Sequence, residues 1–389
     1  MMVSDARNRK VLFVIRYFHP FIGGMEKQAL TVAAALARQG WHIEVVTSRL
    51  HRSWAPREEI QNISITRLPT LRLKYVGAFI FLVSLILYLY KNRFSCSMIQ
   101  TFQVGYTSAA AIMMANIFNK ASVLKLACSG AGGDIKNHER SCLGRFFLAC
   151  CKNATAIVVL NEEMQRELAG IGYPLYKTRA IVNGVDTGIY HPAENRSELR
   201  QSMGLPDEKI FVYTGRILFS QKRTDWLVRA ICRIQSAQRF RLYIIGEGRD
   251  GALLQTLCKQ LGVHDRVKIL NTVPCMAPFL QSADVFILPS AYEGISNSLL
   301  EAMASGLAVL ATDIPGNREL IDDGVTGILI PCGNDEKLIS ALEALLVDDA
   351  RAADLGKNAR EKVCRHYAVK KVAQQYGELY DFLIKGRAA

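Results

Sequence analysis

Short apolar runs alternate with longer amphipathic stretches along the chain. The run "VLFVIRYF" (11–18) leads through "HPFIGG" into "MEKQALTVAAALARQG", and "HIEVVTSR" (42–49) follows. Short apolar runs between turn residues are typical of buried strands, and a glycine such as Gly40 is typical of a helix end. The alternation predicts an α/β protein whose parallel sheets are covered by helices on both faces.

The same pattern starts again in the second half of the chain. Its strand-like runs are "KIFVYTGR", "FRLYIIGEG", "RVKILNTV", "ADVFILPS", "LAVLATD" and "TGILIPC". The connection "NGVDTGIYHPAENRSE" (183–198) is polar and carries many turn residues. We therefore expect two doubly wound domains joined there, with ligand sites at the carboxyl ends of their strands.

Composition and charge limit the function. A chain of 389 residues that is 50% hydrophobic can bury a core in each of two or three domains. Its ten cysteines are scattered without metal-ligand spacing, which favours reduced thiols in the cytosol. The net charge of +13 is concentrated in residues 1–190, which hold 23 Lys+Arg and 11 Asp+Glu. Because no nucleic-acid-binding motif is present, this excess favours attraction to an anionic membrane surface.

The segment "YVGAFIFLVSLILYLY" (75–90) contains 16 uncharged residues between Lys74 and Lys91. As a helix it would be about 24 Å long, shorter than the hydrocarbon layer of a bilayer. We favour a buried core helix. A helix that dips into one leaflet and a helix that spans the membrane are the alternatives.

Arg16 interrupts the N-terminal apolar run and no cleavage site follows, so that run predicts a strand rather than a leader peptide.

Two loops of the second half suit phosphate groups. "GEGRDG" (246–251) follows a strand and matches GxGxxG, but the next strand lacks the acidic residue of a dinucleotide site. Its backbone N–H groups could still bind another phosphate. In "TGRILFSQKRTDWLVRA" (214–230), Arg216 follows a strand and Lys222 precedes a helix. Both cations would lie at the carboxyl edge of the sheet, where they could hold a diphosphate.

The stretch "SAYEGISNSLLEAMASG" (290–306) places Glu293 on a loop after a strand and Glu301 inside the following helix. Carboxylates accept hydrogen bonds from vicinal hydroxyls, so one suits a hexose and the other a ribose. The backbone N–H groups that could turn toward the ligand belong to Gly294, Ile295, Ser296 and Asn297. The alternative is that Glu301 is a helix-surface acid and Glu293 a turn residue.

The block "EGISNSLLE" resembles the E-x7-E signature of the retaining GT-B glycosyltransferases of family 4 (glycosyl transferases group 1). Further matches occur in that family's order along nearly the whole chain. They are "GGME" (23–26), "NGVD" (183–186), "GR" (215–216) with Lys222, "IIGEG" (244–248) and "PGNRELIDDGVTG" (315–327).

The resemblance implies two Rossmann-like domains that face a cleft. Residues 1–188 would form the acceptor-side domain, residues 189–370 would bind the nucleotide sugar, and a last helix within 371–389 would pack back on the first domain. In this reading Arg216 and Lys222 neutralise the leaving diphosphate, and Glu293 completes the catalytic set by holding the donor sugar. The other expected donor-binding residues are Gly23, Gly24, Gly246, Gly248, Val273, Gly294, Ile295, Ser296, Asn297 and, at the ribose, Glu301.

The implied reaction moves a sugar from a nucleotide-sugar donor to a glycan or a lipid-linked acceptor, with retention of configuration. No DxD triplet occurs in the chain, so we expect no catalytic metal and no cofactor besides the donor substrate. Family resemblance favours cell-envelope polysaccharide or lipopolysaccharide biosynthesis in the cytoplasm, at the inner face of the membrane. A nucleotide-sugar epimerase of GT-B fold and a catalytically silent membrane scaffold remain alternatives.

One departure concerns the first domain. Many relatives carry a histidine where "ACSGAGGD" (127–134) places Ser129. Ser129, Gly130 and Asp134 are candidates for the acceptor side of the site, and His19 is a weaker one because a lone histidine is more often structural. The general base is therefore unassigned.

Overall fold

The structure, a computed structural model, describes residues 9–20, 23–130 and 133–388. They form two compact units, each with its own sheet. The first contains the described residues up to Gly184 and those from Val369 onward, and the second is Val185–Ala368. Residues 131 and 132, inside the candidate loop 127–134, lie outside the described residues.

The first unit contains an eight-stranded sheet in the order β3-β4-β2-β1-β5-β6-β7-β8. Its strands are β1 (Lys10–Val14), β2 (His42–Arg49), β3 (Arg57–Ile60), β4 (Ile63–Pro69), β5 (Met98–Phe102), β6 (Ala121–Lys125), β7 (Ala156–Val159) and β8 (Thr178–Ala180). All neighbours are parallel except β3, which pairs antiparallel with β4. The sheet is therefore mixed at one edge, where the sequence had predicted parallel strands alone.

Helices cover this sheet. They are α1 (Gly24–Arg38), α2 (Lys74–Lys91), α3 (Tyr106–Ile117), α4 (Asp134–Glu139), α5 (Cys142–Cys151) and α6 (Glu162–Gly170), with the C-terminal α16 (Val369–Ala388). Helix α16 packs against α1. The rings of Trp41 and Tyr380 meet edge to face there, with centroids 5.2 Å apart. The last helix thus contributes buried aromatic side chains to the core of the first unit.

Helix α2 has two different faces. Phe81, Leu85 and Leu89 are fully buried in a core cluster with sheet residues, whereas Tyr75 and Phe79 project outward. The expected core helix is therefore only half buried. Within the described ranges, no helix has the length and apolar character needed to cross a bilayer.

The second unit contains a six-stranded parallel sheet in the order β11-β10-β9-β12-β13-β14. Its strands are β9 (Lys209–Thr214), β10 (Phe240–Ile245), β11 (Val267–Leu270), β12 (Val285–Leu288), β13 (Ala308–Thr312) and β14 (Ile328–Ile330). Its helices are α7 (Arg196–Ser202), α8 (Phe219–Lys222), α9 (Thr224–Arg233), α10 (Gly251–Gln260), α11 (Ala277–Ser282), α12 (Asn297–Ala304), α13 (Pro315–Arg318), α14 (Asp335–Val347) and α15 (Asp349–His366).

Strand order explains how distant motifs of the second unit meet. β9 lies between β10 and β12, and all three run parallel. The loops that follow these strands therefore emerge at one edge of the sheet, where parallel α/β sheets bind ligands.

Candidate functional site

The loop after β9 and the loop after β12 meet through charged side chains. The ammonium group of Lys222, at the end of α8, forms an ion pair with the carboxylate of Glu293. Only 11% of the Lys222 side chain and 10% of the Glu293 side chain are exposed. The pair is thus largely removed from water. Charge interactions are stronger in such an enclosed site than at an open surface.

Backbone contacts fix the two segments that carry this pair. The Ala291 N–H donates to the carbonyl of Gln221 at 2.7 Å, and the Gln221 side-chain amide donates to the Tyr292 carbonyl at 3.3 Å. At the other end of α8, the Asp250 carboxylate accepts a 2.7 Å hydrogen bond from the Phe219 N–H. Helix α8, which carries Lys222, is therefore held by the loops that follow β10 and β12.

Arg216 lies at the same edge and is exposed. The buried Tyr213 hydroxyl donates to its carbonyl at 2.8 Å. Burial raises the pKa of Tyr213 well above its usual value, the negative charge of Glu293 raises it further, and the positive charge of Arg216 lowers it. Both charged groups therefore lie close enough to Tyr213 to shift its pKa. Sequence reasoning missed Tyr213, because a tyrosine inside a strand looks like ordinary core.

The glycine loops lie backbone against backbone. A Cβ atom on Gly246 would be 2.0 Å from the Gly215 carbonyl oxygen, and Gly246 has a φ of +150° that side chains disfavour. A Cβ on Gly248 would meet the Ile217 carbonyl oxygen equally closely, at 2.0 Å. Val273 follows β11 and is partly exposed. These glycines are required for packing, whatever ligand the edge binds.

Glu301 is inside α12 and only 5% exposed. The alternative of a helix-surface acid is therefore wrong. Ser296 caps the helix, since its side chain accepts a hydrogen bond from the Leu299 N–H. Ile295 and Ser296 are buried and Asn297 is partly buried, so the amino end of α12 is enclosed by protein.

Helix α13 supports the loop that carries Glu293. A Cβ atom on Gly316 would be 1.7 Å from the Gly294 carbonyl oxygen and 2.9 Å from that of Glu293. Only glycine permits this approach. Gly316 of the "PGNREL" motif thus allows α13 to pack directly against the backbone of residues 293–294.

In the first unit, helix α6 holds the candidate loop after β6. The Ser129 hydroxyl donates to Glu163 at 2.7 Å, and the Gly130 N–H donates to Glu167 at 2.9 Å. Sequence reasoning missed these glutamates, which look like exposed helix acids. Asp134 is buried and accepts a hydrogen bond from the Ala127 N–H at 2.5 Å. Burial raises its pKa to about 6 although this bond opposes the change.

The remaining first-unit candidates follow β1. Gly23 and Gly24 begin α1, with Gly23 as the N-cap residue. The His19 carbonyl accepts a 2.7 Å hydrogen bond from Arg67, and the His19 Nδ1 atom is buried without a hydrogen-bond partner among the described residues. Nothing in this arrangement assigns His19 as a base.

A buried cation of the first unit also escaped sequence reasoning. Lys125, the last residue of β6, is 1% exposed, and its ammonium group donates to Asn183 of the "NGVD" motif at 2.8 Å. The ammonium nitrogen lies 5.8 Å from the centre of the Tyr376 ring of α16. Burial lowers the pKa of Lys125 to about 7.

Both halves of the chain match known families. The family described as "Glycosyltransferase Family 4" matches residues 22–188, and "Glycosyl transferases group 1" matches residues 208–348. The chain belongs to the GT4-type glycosyltransferases of GT-B fold. The family and the fold expected from the sequence are thereby confirmed, and the matching families are described as glycosyltransferases.

Individual relatives of this GT4-type chain are similar over part of their length. The lipopolysaccharide core biosynthesis mannosyltransferase LpcC of Rhizobium leguminosarum bv. viciae is 31% identical over 211 residues, which are 52% of this chain and 59% of that protein. The chain spans about three fifths of the length of the first curated relatives that it matches.

Solved structures show the same fold. Sucrose-phosphate synthase from Thermosynechococcus elongatus has a TM-score of 0.83 at 23% identity, covering 97% of this chain and 100% of that one. Anabaena Alr3699/HepE in complex with UDP-glucose has a TM-score of 0.77 at 19% identity, with 96% and 99% covered.

The described residues contain no group of three or more His, Cys, Asp or Glu side chains arranged to hold a metal ion. Metal independence stays a prediction that rests on the sequence.

Proposed function

We propose that the protein transfers a sugar, with retention of configuration and without a metal ion, from a nucleotide-diphosphate donor to a glycan or lipid-linked acceptor. The observation that carries this proposal is the enclosed Lys222–Glu293 pair at the sheet edge that also holds Arg216. Relatives named for lipopolysaccharide core biosynthesis support a role in building cell-envelope glycans.

The chemistry needs stabilisation of a leaving diphosphate. Negative charge develops on that group as the bond to the sugar breaks, and preorganised cations lower the barrier by stabilising it. Lys222 and Arg216 would supply these cations, and the amino end of α12 would add its partial positive charge. When the diphosphate engages Lys222, Glu293 becomes available to accept hydrogen bonds from the sugar hydroxyls.

Glu301 would bind the ribose of the donor. It is buried, so a hydrogen bond to a ribose hydroxyl would form away from bulk water, where it discriminates strongly between ligands. Ser129, Gly130 and Asp134 stay predicted acceptor-side residues, and the general base stays unassigned. Same-face attack needs no covalent intermediate, and we assign no nucleophile.

The test is incubation of the purified full chain with nucleotide sugars labelled in the sugar, starting with UDP-glucose because a structural neighbour binds it. Transfer, or slow release of free labelled sugar, supports the proposal. Conversion to another sugar nucleotide would identify an epimerase, and absence of binding to every donor would identify a scaffold. NMR of the transferred sugar's anomeric proton then tests retention.

We propose that the protein acts at the cytoplasmic side of a membrane, because a lipid-linked acceptor would be found there.

A further inference from the structure

The outward face of α2 is apolar. Tyr75, Phe79, Leu87 and Phe94, the last just beyond the helix, are 79%, 67%, 54% and 83% exposed. Val76, Val83, Ile86 and Tyr90 lie on the same face and are also exposed. Soluble proteins rarely present so many large apolar side chains together, so such a face marks an interaction site.

Exposed apolar side chains also occur on two neighbouring helices. Helix α3 packs against α2, and α5 packs against α3. Met113 and Ile117 of α3 and Leu143 and Phe146 of α5 are exposed. We call the exposed apolar side chains of these three helices, with Leu71, Leu73 and Phe94, the three-helix surface.

The charge around this surface has one sign over a long stretch. No Asp or Glu occurs in the sequence between Glu59 and Asp134. Arg72, two residues before α2, and Lys91, the last residue of α2, are exposed. The Arg93 guanidinium lies over the ring of Tyr90, 4.3 Å from its centre. Cations beside exposed aromatic rings suit the headgroup region of an anionic bilayer.

We propose that the three-helix surface lies flat on a bilayer that contains anionic phospholipids. The aromatic and aliphatic side chains would enter the boundary between headgroups and acyl chains, and Arg72, Lys91 and Arg93 would contact phosphates. Helix α2 must lie in the plane of the membrane, because its inner face is packed in the core of the first unit.

A second copy of the chain is a poorer occupant. A two-fold interface would place Arg72, Lys91 and Arg93 on both sides, and the facing cations would repel each other. An anionic lipid surface supplies both the apolar environment and the opposite charge. Membrane binding stands without the proposed chemistry, and only its benefit for a lipid-linked acceptor depends on the proposed function.

The apolar part is tested by flotation of the purified full chain with vesicles of phosphatidylcholine, alone or mixed with phosphatidylglycerol, without any sugar nucleotide. The wild type should float with the anionic vesicles. Phe79→Ser combined with Leu87→Ser should weaken the partitioning at least about tenfold, since each removes a large side chain from the boundary. Leu253→Ser is the matched control, because Leu253 is 58% exposed on the second unit.

The charged part is tested with Lys91→Gln combined with Arg93→Gln. Because cations near an anionic surface strengthen binding, the loss of two of them should weaken binding by about tenfold or more at low salt. The dependence of binding on salt should also become weaker. The matched control is Lys259→Gln, an exposed lysine of the second unit.

Phe79→Trp supplies a direct readout of insertion. Its fluorescence should shift to the blue with anionic vesicles and be quenched by lipids brominated on the acyl chain.

No flotation at low salt, or equal flotation of the surface variants and their controls, would overturn the proposal. So would self-association without vesicles that the Phe79 and Leu87 substitutions abolish, since it would assign the surface to a second copy. Hydrolysis of the donor is assayed separately, so failure of the proposed function would appear as missing hydrolysis with normal flotation.

Discussion

Replacing Lys222 by methionine separates the structural role of this side chain from its proposed catalytic one. Removing one partner of a buried ion pair costs about 3–5 kcal/mol, because the other charge is left uncompensated. About a tenth of each side chain still reaches solvent here, so we expect the lower end of this range. Loss of a preorganised charge partner in a transition state typically reduces kcat by about 100- to 1000-fold.

The double variant Lys222→Met with Glu293→Gln distinguishes the two roles. It removes the uncompensated carboxylate, so most of the lost stability should return in urea unfolding followed by circular dichroism. Transfer or donor hydrolysis should stay as low as in Lys222→Met, because the cation is still missing. The control is Lys362→Met, which breaks the exposed pair with Asp322 and should leave activity unchanged.

Two results would refute this reasoning. One is a Lys222→Met enzyme with the kcat of the wild type. The other is a double variant that regains activity together with stability, since Lys222 would then act only by neutralising Glu293.

Three further variants test other parts of the account. Glu301→Ala should reduce transfer at least about tenfold, or about 1.4 kcal/mol, mainly by raising the donor KM; an unchanged KM for all donors would argue against ribose binding. Gly316→Ala should lower both the melting temperature and activity, because the new methyl group would overlap the Gly294 carbonyl; unaltered melting would disprove the tight contact. Burial lowers the pKa of Lys125 from 10.5 to about 7, so below pH 7 the folded state bears the full cost of a buried charge. The free energy of unfolding should therefore rise between pH 7 and 10, relative to Lys125→Met, and parallel pH profiles would contradict this.

The second unit was the more predictable one. Its strands are short apolar runs, and Gly215 and Gly246 mark the turns where two of them end. The sequence placed Arg216, Lys222 and Glu293 at one edge of a sheet. Their pairing depends on β9 lying beside β12, and this strand order is a tertiary feature that no local pattern encodes.

Helix α2 shows why the first unit was less predictable. Its apolar residues lie all around the helix, so periodicity could not indicate which face would pack against the sheet. The structure resolves this by burying Phe81, Leu85 and Leu89 and leaving Phe79 and Leu87 outside. The sequence analysis could offer only a choice among core, leaflet and span.

The loop after β6 shows a second limit. Ser129 was compared with the histidine of relatives at the same place, but its hydrogen-bond partner Glu163 lies 34 residues away on another element. Likewise, Glu301 could not be distinguished from a surface acid until its burial was known. Long-range contacts decide both cases, and single-sequence patterns carry little information about them.

Calorimetric titration of the purified chain with UDP, GDP and ADP tests the central claim most directly, because it measures diphosphate binding without requiring the acceptor. The account predicts that at least one of these nucleotides binds, one molecule per chain, and that Lys222→Met and Arg216→Ala each weaken its binding. The account would be contradicted if the wild type bound none of these nucleotides, or if both variants bound them as tightly as the wild type does.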